Sequence, residues 1–228
     1  MSLKNRDRVS KGYIVDEMHR YNIILETREI FLHGHDHGGS DGDPGVEYRM
    51  SNCLLKNMRL LEQTADKPIV IHQHSIGGEW IDAMLMYDII KNCSQQVIVI
   101  AHGAACSAGS VVPLAADLVV SMPHCYWMIH KGTTGVNTDM RYSQAKSTME
   151  YEESQNKIML DIYTETCANG TFFKGKSKKY IKSYIEREMS KKEDLWFSAE
   201  RAVEMGFCSG IYGQPDFENL EAIVRHVY

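Results

Sequence analysis

Residues 97–109 read Val-Ile-Val-Ile-Ala-His-Gly-Ala-Ala-Cys-Ser-Ala-Gly, and this stretch decides the fold class. Val97 to Ala101 is an unbroken apolar run rich in β-branched residues. Such a run belongs to a central strand of a parallel sheet with both faces covered. The chain then turns small, from His102 through Gly103 to Gly109, where a turn and the start of a helix reaching about Ala116 are expected. Working outward, the same grammar repeats. Ile69 to Gln73 (IVIHQ) is a second buried-type strand, flanked by a helical pattern over Val46–Gln63 and another over 79–92. Glu29 to His33, Leu118 to Ser121, Tyr126 to Ile129 and Gly210 to Tyr212 read as further short strands. A long polar helix is expected from Asp139 to Ala168. Residues 170–193 read as basic and then helical, with FFKGKSKK taken as a solvated loop, and a last short helix covers Ser198–Met205. Strands alternating with helices imply an α/β class with a mainly parallel sheet and right-handed crossovers.

The composition fits a folded protein. Of 228 residues, 43% are hydrophobic and 24% charged, enough apolar content to exclude disorder as the main state. The formal charge of −5 argues against a nucleic-acid protein held by a basic field. No apolar run approaches the roughly 20 residues needed to span a bilayer. The polar start MSLKNRDRVSKGY has no signal-peptide core, so the cytoplasm is the expected compartment. Residues 1–20 are expected to be a flexible segment, ahead of one domain over 21–228. The six cysteines contain no C-x-x-C pair and read as reduced, mostly buried residues.

Four signals bear on chemistry. Ser107 stands where a strand gives way to a helix, among small neighbours that admit a substrate backbone, and it also suits a plain helix N-cap. Ser75-Ile76-Gly77-Gly78 is a second strand-to-helix turn, and in a parallel sheet such turns share one edge. Gly78 can therefore offer a backbone N–H toward Ser107. His130 ends the YWMI strand, and Asp194 precedes the apolar Leu195-Trp196-Phe197; each is also readable as a structural residue, Asp194 as a helix N-cap. Together they supply a nucleophile, a base, an orienting acid and an oxyanion site. Cys106 and His102, close in sequence to Ser107, are rival candidates for nucleophile and base. The loop His35–Gly45 carries His35, Asp36, His37, Asp41 and Asp43 next to His33. It reads as a turn-rich surface loop, with a divalent metal site as the lesser alternative.

In these residues the sequence resembles the proteolytic subunits of Clp proteases, ClpP. The family's G-x-A-A-S-x-G motif is matched by Gly103–Gly109, with Cys106 in place of the second Ala. Its N-S-P-G-G-S turn is matched by His74–Glu79, with Ile76 in place of proline. Its M-I-H-Q-P segment is matched by Met128–Gly132, and its D-R-F-L-S-A-x-E-A-V-E-Y-G segment by Asp194–Gly206. The resemblance covers about residues 21–212. It implies a crotonase-like superhelix of βαβ units with a protruding handle helix in a region of about 131–190. It also implies a serine endopeptidase in which Ser107 attacks, His130 is the base, Asp194 orients it, and the N–H groups of Gly78 and Ala108 bind the oxyanion. No cofactor or metal is implied. The implied partners are unfolded polypeptide substrates, further copies of the chain in a ring, and an AAA+ unfoldase. Three other readings remain: a catalytically silent ring subunit, a crotonase-type acyl-CoA enzyme that needs no serine nucleophile, and a membrane-linked Ser–Lys peptidase. The segment KGTTGVNTD after His130 is shorter than the family's glycine-rich stretch between rings, which leaves single or double rings open.

Overall fold

In a computed structural model, residues 13–16, 18–32, 45–132 and 139–227 are described. The apolar run at 97–101 opens the longest strand of the sheet. Strand β4 spans Val97–Cys106, five residues beyond the run read from sequence, so the expected turn at His102–Cys106 is strand instead. The extension is held because β4 is paired on both flanks before and after a bulge at His102–Gly103, where Gly103 has a φ of +54°. Strand β3 (Ile69–Ser75) lies parallel on one side, from Ile69↔Val97 to Ser75↔Ala105. On the other side β5 (Leu118–Ser121) pairs with the first half, and β6 (Tyr126–Ile129) pairs in parallel with Ala104–Cys106. Small side chains at Gly103, Ala104 and Ala105 permit the chain to carry on where bulkier residues would crowd two partners.

Strand β2 (Glu29–Leu32) extends the sheet beyond β3, and a two-residue β1 (Ile23–Ile24) closes that edge antiparallel. Beyond β6, β7 (Leu195–Phe197) pairs antiparallel; at the other side β8 (Gly210–Ile211) pairs with β5. The alternation along β4 explains the layers. Val97 and Val99 face helices α1 (Tyr48–Thr64) and α2 (Trp80–Lys91), with Leu54, Met58, Leu61 and Met86 in the same core. Ile98 and Ile100 face the opposite way, under α7 (Leu220–Arg225), a helix not read from sequence, through Phe217 and Ile223. A third core surrounds Trp127, fully buried with its indole N–H donating to Ser121 Oγ at 3.2 Å.

The start of α2 is preceded by the glycine turn, and β4 leads into a four-residue helix α3 (Ala108–Val111) followed by a 3₁₀ turn over Val112–Ala115. The long helix α4 runs from Tyr142 to Cys167; all its buried residues lie between Met159 and Cys167, so its first two turns and more project from the core. It packs on α5 (Lys178–Lys192). The expected solvated loop holds over Lys174–Ser177; at its ends Phe173 is buried in a 3₁₀ turn, and Lys178 already belongs to α5, capped by Ser177. Helix α6 (Ala199–Met205) closes with Gly206 in the left-handed conformation. The sheet is mainly parallel and covered by helices, the α/β class read from the sequence.

The face of β2–β4 away from α1 also carries a polar chain. Glu29 Oε2 lies 2.9 Å from His72 Nε2, and His72 Nδ1 lies 3.0 Å from His102 Nε2. This places His102 in a partnership of its own, away from Ser107.

Candidate active site

Ser107 sits at φ 52°, ψ −129°, a conformation that costs a non-glycine residue about 1–3 kcal/mol and persists only when its surroundings enforce it. They do so from three sides. The Ser107 N–H donates to Met128 O at 2.8 Å, an extension of the β4–β6 pairing. The Ser107 carbonyl accepts both the Ser110 N–H at 2.9 Å and the Ser110 hydroxyl at 2.7 Å. Ser110 Oγ in turn lies 2.7 Å from the hydroxyl of Tyr163, which is completely buried and whose ionisation burial suppresses. The backbone of Gly77 covers the third side. Its φ is +105°, and a Cβ built there would lie 2.5 Å from Ser107 Cβ, so only glycine fits. Although Ser107 precedes a helix, its side chain makes no capping hydrogen bond. The hydroxyl is turned to His130, with Oγ 2.6 Å from Nε2.

Strand register brings the third residue. Ile129 pairs with Leu195 across the antiparallel β6–β7 ladder, so the next pair outward is His130 and Asp194. Asp194 therefore lies in the link between α5 and β7, not at a helix N-cap, and its Oδ1 is 3.1 Å from His130 Nδ1. The imidazole is mostly covered, at 22% exposure, but the carboxylate is 52% exposed.

The Gly77–Gly78 turn is fixed by the segment before α1. Val46 N–H donates to Gly77 O at 2.7 Å and Glu79 N–H to Val46 O at 2.8 Å, a parallel bridge centred on Gly78. In such a bridge the central residue's own N–H points away from the pairing segment. Gly78 and Ala108, with its N–H at the unpaired start of α3, line one small cleft of about 80 Å³ together with Ser107 and His130. The opposite wall comes from α4, where Glu152, Gln155, Asn156 and Met159 recur at helical spacing and face the cleft, and Trp80 adds an indole. This wall was not read from sequence. Its signal was the apolar Met159 one stripe along from three polar residues in an otherwise polar helix.

The rivals are placed elsewhere. Cys106 is buried, and desolvation pushes its thiol up to about 11, leaving it a poor nucleophile at neutral pH. All six cysteines are free. His102 faces His72, and burial, followed by the neighbouring His72 and His74, holds it down to about 4. Most of the His- and Asp-rich loop at 35–45 lies outside the described residues, as does KGTTGVNTD from 133 to 138. Among the described residues, no group of three His, Cys, Asp or Glu is placed to hold a metal, and no helix is long and apolar enough to cross a membrane.

A hydroxyl, an imidazole and a carboxylate in series, beside two N–H groups at one cleft, are what nucleophilic acyl transfer requires. Comparison with known proteins places the chain in a family. The Clp protease family model matches residues 16–215, and the chain belongs to that family. It is 25% identical over 204 residues to ATP-dependent Clp protease proteolytic subunit 2 of Pseudomonas aeruginosa, covering 89% of this chain and 88% of that protein. It is 29% identical over 195 residues to ATP-dependent Clp protease proteolytic subunit 1 of Chlamydia muridarum, covering 82% of this chain and 88% of that one. A solved structure of a ClpP1 mutant from Listeria monocytogenes shares the fold, with a TM-score of 0.65 and 22% identity over 86% of this chain and 96% of its own.

Proposed function

We propose that the chain is a serine endopeptidase subunit acting on unfolded polypeptides through an acyl-enzyme. The observation that carries this reading is the relay Ser107 Oγ–His130 Nε2 at 2.6 Å and His130 Nδ1–Asp194 Oδ1 at 3.1 Å, ending in a cleft faced by Gly78 and Ala108. Ser107 Oγ attacks the peptide carbonyl as His130 Nε2 takes its proton. The carbonyl oxygen becomes an oxyanion held by the N–H groups of Gly78 and Ala108, which face it without reorganising. The imidazolium then returns the proton to the leaving amine, the C–N bond breaks, and an ester to Ser107 remains. Water, deprotonated by the same imidazole, hydrolyses that ester. Asp194 accepts the Nδ1–H bond throughout, which keeps Nε2 as the acceptor and steadies the transient positive ring.

Membership in the Clp protease family and the names of the ATP-dependent relatives support assembly into a homo-oligomeric ring and work beside an ATP-driven unfoldase. The projecting part of α4, which carries exposed Tyr142, Met149, Tyr151 and Ile158, is the surface we assign to subunit contact. The test is labelling of the intact particle by a fluorophosphonate with peptide mapping. Ser107 is modified, and Ser107→Ala abolishes both labelling and peptide hydrolysis, a loss of ~10⁴-fold or more with the fold retained. An ordered particle whose Ser107 stays unmodified, or hydrolysis that survives Ser107→Ala, refutes the assignment and favours a silent ring subunit or another activity.

A further inference from the structure

We infer that Glu152 makes the subsite beside Ser107 selective for a substrate residue with a cationic side chain, Lys or Arg, at the position that donates the attacked carbonyl (P1). The inference rests on the serine-peptidase reading above and concerns what that site selects.

The cleft that holds Ser107 is bounded on its far side by the α4 stripe Glu152, Gln155, Asn156 and Met159. Residues at i, i+3, i+4 and i+7 share one face of a helix, so all four meet whatever occupies the cleft. The side chain of the P1 residue must lie here, because its carbonyl carbon is fixed against Ser107 Oγ and its oxygen against Gly78 and Ala108. Trp80 and Met159 give the cleft an apolar flank suited to a methylene stem. The polar groups above it differ in what they have left to offer. Asn156 is already engaged, its Oδ1 accepting the Gly132 N–H at 3.0 Å. Glu152 is half-buried and, among the described residues, has no cation within ion-pair distance. The positions that flank it on the helix face, Thr148, Met149, Gln155 and Asn156, are all uncharged. Three of the lysines nearby are engaged elsewhere: Lys146 lies 3.8 Å from Glu150, Lys131 lies 3.9 Å from Glu186, and Lys182 pairs with Asp161 at 2.5 Å; Lys157, at i+5, is off the face that Glu152 shares with Gln155, Asn156 and Met159. A carboxylate partly removed from water, with no cation paired to it among the described residues, is best satisfied by one that the substrate brings. A Lys or Arg lays its stem along Trp80 and Met159 and places its head at Glu152. An aliphatic residue of similar length gains the stem contact but leaves the carboxylate without a partner.

The test compares fluorogenic peptidyl-coumarin substrates identical except at P1, carrying Lys, Arg, Leu or Met, on the full-length assembled protein. Lys and Arg are turned over with kcat/KM about two- to fivefold above Leu and Met, the range of a partly exposed ion pair. Glu152→Gln lowers the Lys-to-Leu ratio by about the same factor, and Glu152→Lys shifts preference toward a P1 Glu substrate. A wild-type preference for Leu or Met, or a ratio that neither variant moves, overturns the inference. If either occurs while a fluorophosphonate still labels Ser107, the selectivity claim alone fails. If no peptide is cut and Ser107 is unlabelled, the catalytic reading fails and takes this one with it.

Discussion

The exposed carboxylate of Asp194 sets a specific size for its contribution. In the serine-protease relay, whose acid is buried, Asp→Asn costs about 10⁴ in kcat because the amide fixes the imidazole in the wrong tautomer. Here the acid is 52% exposed and its bond to His130 Nδ1 is 3.1 Å long, so water already shares the task. The relevant quantity is then the net worth of one charge-assisted hydrogen bond, about 1.5–3 kcal/mol. At 1.36 kcal/mol per tenfold, Asp194→Asn loses roughly 10- to 150-fold in kcat. Half exposed, the asparagine amide can turn its oxygen to Nδ1–H and give its NH₂ to water, so the tautomer is kept while the charge is deleted. The assay is steady-state hydrolysis of a fluorogenic peptide at neutral pH, with circular dichroism and oligomer mass held as controls. A loss under threefold refutes Asp194 as the orienting acid. A loss near 10⁴ refutes the argument that exposure limits its contribution.

Two further outcomes follow from Gly77 and from the His72–His102 pair. Gly77→Ala puts a methyl 2.5 Å from Ser107 Cβ and 2.8 Å from Cys106 O at a φ of +105°, so Ser107 must leave its place; the fluorophosphonate labelling rate falls about a hundredfold or more, and labelling at the wild-type rate contradicts the packing argument. His102 is held down to about 4, against 6.5 for its ordinary value, and is therefore neutral in the fold but protonated in the unfolded chain between those values. Stability is complete above about pH 6.5 and is lost as pH falls toward 4. With the ring only half-buried, solvent screening reduces the contribution at pH 5 to about 1 kcal/mol. Urea midpoints at pH 7 and pH 5 read it as an excess loss in the wild type over His102→Asn, and parallel losses in the two proteins rule it out. Glu29, held below its usual value by its hydrogen bond to His72, adds a loss only below about pH 4.5.

Much of this site was legible because its residues sit beside strong strand signals. Val97–Ala101 and Ile69–Gln73 announce themselves by unbroken apolarity, and in a parallel sheet the turns after them must share an edge, which puts Gly78 near Ser107 before any coordinate is known. Asp194 was reachable only through the resemblance. Nothing local distinguishes it from a helix cap, because its position depends on the three-residue ladder between β6 and β7, a pairing 66 residues apart that a run as short as Leu195-Trp196-Phe197 cannot advertise. The extension of β4 to Cys106 was hidden for a related reason. Gly103, Ala104 and Ala105 have weak strand preference; the chain bulges at Gly103, whose φ is +54°, and Ala104–Cys106 resume the strand because β6 pairs with them and Ser75 of β3 with Ala105. The His72–His102 contact and the Ser110–Tyr163 bond likewise join residues 30 and 53 apart, with no periodicity to reveal them.

The extension of β4 is also what builds the site. Had the strand ended at Ala101, Ser107 would lie on a free loop, and its strained backbone would relax. Because Ala104–Cys106 stay in register with β6, the same ladder that forces Ser107 to donate to Met128 O also sets where His130 emerges two residues later. The antiparallel addition of β7 to β6 then fixes Asp194 against that histidine. Three residues from distant parts of the chain are thus aligned by one continuous hydrogen-bonded frame, and the hydroxyl, ring and carboxylate need little individual steering. Steering is confined to Ser107, where Gly77 and Ser110 hold a conformation the chain would not choose. On the proposed reading, the site concentrates its strain in the backbone of the residue that attacks and leaves the orienting acid at the solvent edge.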